Sequence, residues 1–279
     1  MKKKIIKKIF ICATEQSGDN IGEKIIKELR KVNSNIVFDG VGGALMKPHL
    51  YNQFYSLKEF KTLGLIEVLF SISKYFKMIN YLSMKILNSK YDLIITIDSP
   101  DFNYPLIKKI RNRNYGGKVI QIVAPTVWAW RSYRAKKFSR VFDEIYTLFP
   151  FENKFFEQFN LKTTYIGHPI YDIKNKSDFI KNKKIIAFLP GSRLGEINSL
   201  FNYYQSAYEY LNQKKLKFEI FIPTLPHLEN EIRKKTKDWK IVTTITTNKK
   251  TIENYFLRTK VAVVCSGTAS LEIAKRNIP

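Results

Sequence analysis

Twice in its second half, this sequence runs a short apolar segment straight into a small-residue turn and then into a helical pattern. Residues 185–189 lead into Pro190-Gly191-Ser192-Arg193, and residues 261–264 lead into Cys265-Ser266-Gly267-Thr268. Apolar runs without a polar face belong in a parallel sheet covered on both sides. The amides at such a helix start have no intrahelical acceptor and converge on one spot, where an anion fits. Two such turns in one domain predict a site for a diphosphate-bearing ligand. Ser192 belongs to the first turn, and Arg193 supplies a positive fork for phosphate oxygens. Glu272 lies one helical turn past Thr268, where a carboxylate can accept hydrogen bonds from a sugar hydroxyl.

The same alternation runs through the whole chain. Strands are expected at residues 8–13, 36–39, 93–97, 118–123, 144–148 and 164–166. Helices are expected at 19–32, 63–87, 102–111, 133–138 and 151–159. Gly167-His168-Pro169 breaks the pattern, and the polar, Lys- and Asn-rich residues 171–184 read as a linker. A second series follows, with strands at 185–189, 218–223, 240–244 and 261–264. Its helices fall at 196–211, 228–235, 251–257 and 269–276. This rhythm predicts an α/β protein of two Rossmann-like domains, residues 1–170 and 185–279. Four strands with no closing elements would expose apolar faces, so the second domain reads as incomplete.

A chain of 279 residues has room for two such domains. Its net charge of +24 sets up a field that attracts nucleic acid, anionic lipid or a phosphorylated substrate. The two cysteines, Cys12 and Cys265, sit in apolar strand contexts, which argues against a disulfide framework and for a reducing cytoplasm. No apolar run is long enough to cross a bilayer, so any membrane role is expected to be peripheral. The three histidines, His49, His168 and His227, lack metal-ligand spacing, and no metal or cofactor is expected.

In the first half, Ala13-Thr14-Glu15-Gln16-Ser17-Gly18-Asp19 sits at the end of the first strand, where open α/β sheets bind ligands. Ser17 and Asp19 read most simply as helix caps. Glu15 is a carboxylate at a strand end facing the crevice. Gly40-Val41-Gly42-Gly43 is either a structural turn or a place where substrate approaches the backbone. Asp98 ends a buried strand and is the sharper candidate for a general base, while Asp101 suits a helix cap. Trp128 and Trp130 flank Ala129 in a loop. They either pack in the core or wall a site for sugar or acyl chains, with Arg131 and Arg134 facing phosphate. Residues 63–76 default to a core helix, and Lys74 and Lys77 also suit an interfacial helix on anionic lipid.

Taken together, the chain closely resembles the lipid-A-disaccharide synthase family, inverting glycosyltransferases of the two-Rossmann GT-B type. The resemblance rests on ATEQSGD (13–19), GVGG (40–43), LGLIEVL (63–69), IDSPDFN (97–103), APTVWAWR (124–131), FPFE (149–152), YIGHP (165–169), LPGSR (189–193) and CSGTASLE (265–272). These segments follow the family order across nearly the whole chain. LPGSR or SGTA alone would indicate only a nucleotide-sugar transferase.

The resemblance implies UDP-2,3-diacylglucosamine as donor and 2,3-diacylglucosamine 1-phosphate as acceptor. The products would be the β-1′,6-linked disaccharide 1-phosphate and UDP, made at the inner face of the inner membrane. It implies Asp98 as base for the acceptor 6-hydroxyl and Glu15 as a carboxylate needed for activity or acceptor positioning. Arg193, Ser192, Ser266, Gly267 and Thr268 fall on the diphosphate side, and Glu272 on the ribose. Asn103, Trp128, Arg131 and His168 are expected to bind substrate. The two lobes are expected to share one cleft. Family members continue past Pro279, so the second domain reads as truncated, with homodimer formation depending on the segment beyond. Another UDP-sugar GT-B enzyme and an inactive fragment are the alternatives. IDSPDFN and VWAWR argue against the first. Dispersed lysines without a recognised motif argue against a nucleic-acid partner.

Overall fold

The computed structural model describes residues 6–60, 67–172, 184–214, 217–265 and 267–279. The chain divides into two compact units, one ending at His168 and the other starting at Pro169. In the first unit the strands are β1 (Lys8–Ala13), β2 (Val37–Gly42), β3 (Asn52–Ser56), β4 (Leu93–Ile97), β5 (Lys118–Ile122), β6 (Glu144–Thr147) and β7 (Lys162–Tyr165). Its helices are α1 (Gln16–Val32), α2 (Glu67–Ser89), α3 (Pro100–Arg111), α4 (Tyr133–Ser139) and α5 (Asn153–Glu157). The sheet order is β3-β2-β1-β4-β5-β6-β7, and every neighbouring pair is parallel.

Alternation along β1 shows why the sheet is covered on both faces. Phe10 and Cys12 enter one core with Leu82, Ile94, Leu106 and Phe138. Ile9, Ile11 and Ala13 enter the other with Ile26, Phe38, Ile95 and Ile97. Successive side chains of a strand point to opposite faces, so a strand buried on both must be apolar throughout.

The second unit repeats the plan with β8 (Ile185–Leu189), α6 (Leu194–Gln213), β9 (Glu219–Pro223), α7 (Glu229–Lys235), β10 (Thr243–Thr246), α8 (Lys249–Arg258), β11 (Thr259–Val264) and α9 (Thr268–Lys275). The order is β10-β9-β8-β11, again all parallel. Ile186 and Phe188 pack to one side of the sheet, and Ile185, Ala187 and Leu189 to the other. In both units the chain order reverses beside the first strand, between β1 and β4 and between β8 and β11. Ligands of open α/β sheets bind at the carboxyl ends of strands at such a switch point.

Several expected boundaries move. Helix α1 starts three residues early, at Gln16, with Glu15 in the N-cap position. Ser17 and Asp19 therefore lie inside its first turns and cap nothing. The strand expected to end before the glycines continues through them to Gly42. A Cβ on Gly40 would stand 1.8 Å from the Ile11 carbonyl oxygen of β1, so glycine is what permits this close strand. Edge strand β3 was not expected. It is tied down by buried Asp39, which accepts from the Asn52 backbone N–H at 3.1 Å, from its amide at 2.9 Å and from the Tyr91 hydroxyl at 2.8 Å. Burial and then this hydrogen bond to Asp39 push the Tyr91 phenol up. The helix expected at 151–159 is a 3-10 turn, Pro150–Glu152, followed by the short α5. Strand β10 lies three residues beyond the expected start. Residues 173–183, most of the expected linker, and 61–66, part of LGLIEVL, lie outside the described residues. Among the described residues no helix is long and apolar enough to cross a membrane.

The close approach at Gly40 makes a testable contrast with Gly195, whose Cβ would meet nothing within 4 Å. Gly40→Ala should cost about 3 kcal/mol or more. Gly195→Ala, on α6, should gain roughly 0.5–1 kcal/mol. Urea unfolding midpoints read both, and equal midpoints would remove the β1 contact as the reason for glycine at 40.

Candidate functional site

At the end of β4 the backbone takes an unusual path. Asp98 and Ser99 both have positive φ, 53° and 46°, although neither is glycine. Each such residue costs of the order of 1–3 kcal/mol and persists only when its surroundings over-determine it. The surroundings do so here. The Asp98 N–H donates to the Ile122 carbonyl at 2.8 Å. The Asp98 carbonyl accepts from the Asn103 side-chain amide at 2.7 Å and from the Gln121 amide at 3.1 Å. Gln121 is fully buried, and its Nε2 also donates to the Ile122 and Val123 carbonyls, each at 3.1 Å. Its Oε1 accepts from the Thr96 hydroxyl. The Asp98 carboxylate accepts from the Ser99 N–H at 2.8 Å and from the Ser17 hydroxyl at 3.4 Å.

Around this carboxylate the expected residues fall as follows. Glu15 is exposed at the start of α1, at the end of the adjacent strand β1. Asp19 is fully buried and accepts from the backbone N–H groups of Gly43 at 2.6 Å, Leu45 at 3.0 Å and Met46 at 3.1 Å. A Cβ on Gly43 would lie 2.5 Å from Asp19 Oδ2, so this glycine serves the turn and not an approaching substrate. Asn103, expected to touch substrate, is 0% exposed and donates only to carbonyls, at Ile97 and Asp98. It braces Asp98 from beneath, because its position on α3 points it under the strand end. Asp101 does not cap α3. Its exposed carboxylate pairs with Arg134 and lies 3.7 Å from Arg131.

The tryptophans are not core residues. Trp128 is 46% exposed and Trp130 is 57% exposed. The Arg131 guanidinium lies 3.9 Å from the Trp130 ring centroid, a cation–π stack. Trp128 begins a row of rings that sequence reasoning missed. It meets Phe151 edge-on at 5.4 Å, Phe151 stacks on Phe149 at 5.7 Å, and Phe149 stacks on His168 at 5.4 Å. Burial lowers the His168 pKa. Beneath the row, Glu152 accepts from the Leu148 and Phe149 N–H groups, and burial raises its pKa against these bonds and one from Trp128.

In the second unit the two turns do converge. The Cys265 N–H donates to the Leu189 carbonyl at 2.9 Å. Burial raises the Cys265 pKa, Glu196 adds to the rise, and Arg193 opposes it, which places all three in one field. Tyr204, buried on α6, donates to the Leu189 carbonyl at 3.1 Å and lies 3.4 Å from that of Val263, tying both strand ends together. Burial, then Cys265, push its phenol up to about 12. The sequence predicts vacant amides at the first turn, but they are occupied. Glu196 Oε2 accepts from the Ser192 N–H at 2.9 Å and the Arg193 N–H at 3.1 Å. Its other oxygen lies 3.4 Å from the Arg193 guanidinium. A phosphate arriving here meets an internal carboxylate already on the donors. Gly191, at φ 104°, allows it, since a Cβ there would lie 2.3 Å from Glu196 Oε2.

At the second turn Gly267 has φ 145° and open space around its Cβ position. Ser266 lies outside the described residues, and α9 starts at Thr268. Glu272 is not an isolated carboxylate. It accepts from Arg276 at 3.1 Å, and Arg276 also forks onto Glu253 at 2.6 and 2.7 Å. Gln121 carried a signal that could have found it, a lone amide in the apolar strand KVIQI. Glu196, Tyr204 and Phe149 carried none, because their roles depend on partners fixed by the fold.

Two parallel sheets, each with chemistry-bearing turns at its switch point, define the class by fold: a GT-B-type α/β protein. The family model "Lipid-A-disaccharide synthetase" matches residues 9–279. The chain belongs to that family. It is 30% identical to the lipid-A-disaccharide synthase of Granulibacter bethesdensis over 281 residues, covering 97% of this chain and 71% of the relative. It is 32% identical to that of Wigglesworthia glossinidia brevipalpis over 286 residues, covering 97% and 73%. Among solved structures, it resembles the UDP-GlcNAc 2-epimerase of Methanocaldococcus jannaschii in complex with UDP-GlcNAc and UDP. The TM-score is 0.63 at 14% identity, covering 99% of this chain and 83% of that one, a likeness of fold.

Removing the Gln121 amide tests the bracing of Asp98. Gln121→Leu leaves the Asp98 and Val123 carbonyls without this donor, which should cost about 2–3 kcal/mol. Chemical denaturation would measure it, and an unchanged midpoint would show that the strand end stands without it.

Proposed function

We propose that this chain transfers 2,3-diacylglucosamine from UDP-2,3-diacylglucosamine to the 6-hydroxyl of 2,3-diacylglucosamine 1-phosphate. The products are the β-1′,6 disaccharide 1-phosphate and UDP. The observation that carries the reading is the Asp98 carboxylate, presented on a braced, left-handed strand end in a chain of this family. A base that removes a proton in the transition state must be held in register with the hydroxyl it serves, and such positioning is worth about 10²–10⁴ in rate. Asp98 takes the 6-hydroxyl proton as that oxygen attacks the anomeric carbon. The bond to UDP breaks on the opposite face, and the configuration inverts. Glu15, one strand away, positions the acceptor.

The second unit holds the leaving group. Arg193 and the amides of Ser192, Ser266, Gly267 and Thr268 take the diphosphate charge, which grows as the bond breaks. Glu272, held by Arg276, faces the ribose. The ring row from Trp128 to His168 and the Arg131–Trp130 stack support a wall for the acylated sugar. The net charge of +24 supports work on an anionic membrane surface, the inner face of the inner membrane. On α2, Lys77, Tyr81, Met84 and Lys85 are exposed within one helical stripe, which suits such contact.

An assay with both acylated sugars, read by mass spectrometry of the disaccharide, tests the reading directly. Asp98→Asn should lower kcat by about 10²-fold or more while donor binding holds. Turnover equal to the parent would remove Asp98 as base. Arg193→Ala should weaken UDP binding about tenfold, the value of one charge-assisted contact. Unchanged UDP affinity would reject that role.

A further inference from the structure

Beside Asp98, helices α3 and α4 border an open groove of about 170 Å³ that the roles above leave unused. That is roughly ten times the ~15 Å³ needed to admit one water. Asp101, Tyr104, Tyr133, Arg134 and Lys137 line it. Its charges do not balance. Arg134 and Arg131 share the single carboxylate of Asp101, and Lys137 pairs with no carboxylate among the described residues. The Arg134 side chain is only 15% exposed, while that of Asp101 is 76% exposed. A guanidinium carries five N–H donors, and Arg134 commits only one terminal nitrogen to Asp101. Lys137 stands 4.6 Å from the Tyr133 ring centroid, at the same wall.

Two lining cations, Arg134 and Lys137, face the one carboxylate of Asp101, which Arg131 outside the lining also approaches, and this surplus of positive charge suits a dianionic phosphate better than a neutral sugar. Asp98 and Asp101 are three residues apart, so their Cα atoms are separated by at most about 11 Å. We propose that the α3–α4 groove receives the phosphomonoester of the acceptor, with Arg134 and Lys137 as its ligands. The proposal rests on the acceptor reading given above and names the part of the acceptor that this unit selects.

Equilibrium binding to the full chain in detergent micelles, without donor, tests it. The probes are 2,3-diacylglucosamine 1-phosphate and the same lipid lacking phosphate. The phosphate should tighten binding about tenfold or more. Arg134→Gln and Lys137→Gln should each remove most of that ratio by weakening the phosphorylated ligand alone. Lys137 has no carboxylate partner, so its variant separates lost recognition from lost folding. Lys136→Gln, on the same helix but outside the groove lining, should leave the ratio intact. A parent ratio near one, a ratio unchanged in both groove variants, or an equal loss in Lys136→Gln overturns the groove. Full competition by anionic phospholipid vesicles also overturns it, by assigning the cations to membrane headgroups. Binding is read without turnover, so a chain that selects phosphate yet transfers nothing sinks the transferase reading and leaves the groove supported.

Discussion

Two side-chain amides hold one carbonyl. Asn103 and Gln121 both donate to the Asp98 oxygen, and that pair of bonds lets two consecutive non-glycine residues stay left-handed at the end of β4. Both amides are fully buried, so each bond forms where water cannot compete and where a lost partner is costly. The strain is local, and its support comes from the next strand and the next helix. Those elements are themselves fixed by the apolar cores on either face of the sheet. A reactive group placed this way is as rigid as the core beneath it.

The second unit solves the same problem with a different residue. Tyr204 reaches the Leu189 carbonyl from α6 and lies beside that of Val263, so the turns after β8 and β11 share one anchor. Strand order, switch point and buried brace thus recur in both halves. What differs is the chemistry carried above the brace. The first unit presents a carboxylate at the end of β4 and, on other loops, a row of aromatic rings. The second presents a guanidinium and helix-start amides, which suit negative charge.

Much of the architecture was readable because burial on both faces forces continuous apolar strands. IFICA of β1 and IIAFL of β8 could hardly be anything else. The place of Asp98 in the chain was readable for the same reason, since the apolar run of β4 stops just before it, beside β1. Edge strand β3 was not readable, because NQFYS has no apolar run and depends on Asp39 of its neighbour. Nor was the burial of Asn103. Its motif placed it near Asp98, but only the packing of α3 decides that it lies beneath. Likewise Ser17 looked like a cap, whereas its hydroxyl serves a carboxylate 81 residues away. Local pattern reports periodicity and turns, and it is silent on which distant partner a polar side chain finds.

The Arg side chains suited to phosphate or ribose chemistry share one property: each already rests on a carboxylate. Arg134 and Arg131 rest on Asp101, Arg193 on Glu196, and Arg276 on Glu272 and Glu253. Where the guanidinium is exposed, as at Arg193, such a pair adds little stability, because water screens it. The effect of the pairing is on geometry, since a paired guanidinium is held in place before any ligand arrives. A phosphate entering such a site exchanges one anion for another and must displace or share the resident carboxylate. It gains less than it would from a bare cation, so binding is moderated. In the reaction proposed above, the same exchange would run in reverse on release, with Glu196 returning to the Ser192 and Arg193 amides it holds in this structure. For a reaction whose leaving group carries the strongest charge in the substrate, an internal competitor of this sort favours release over product trapping.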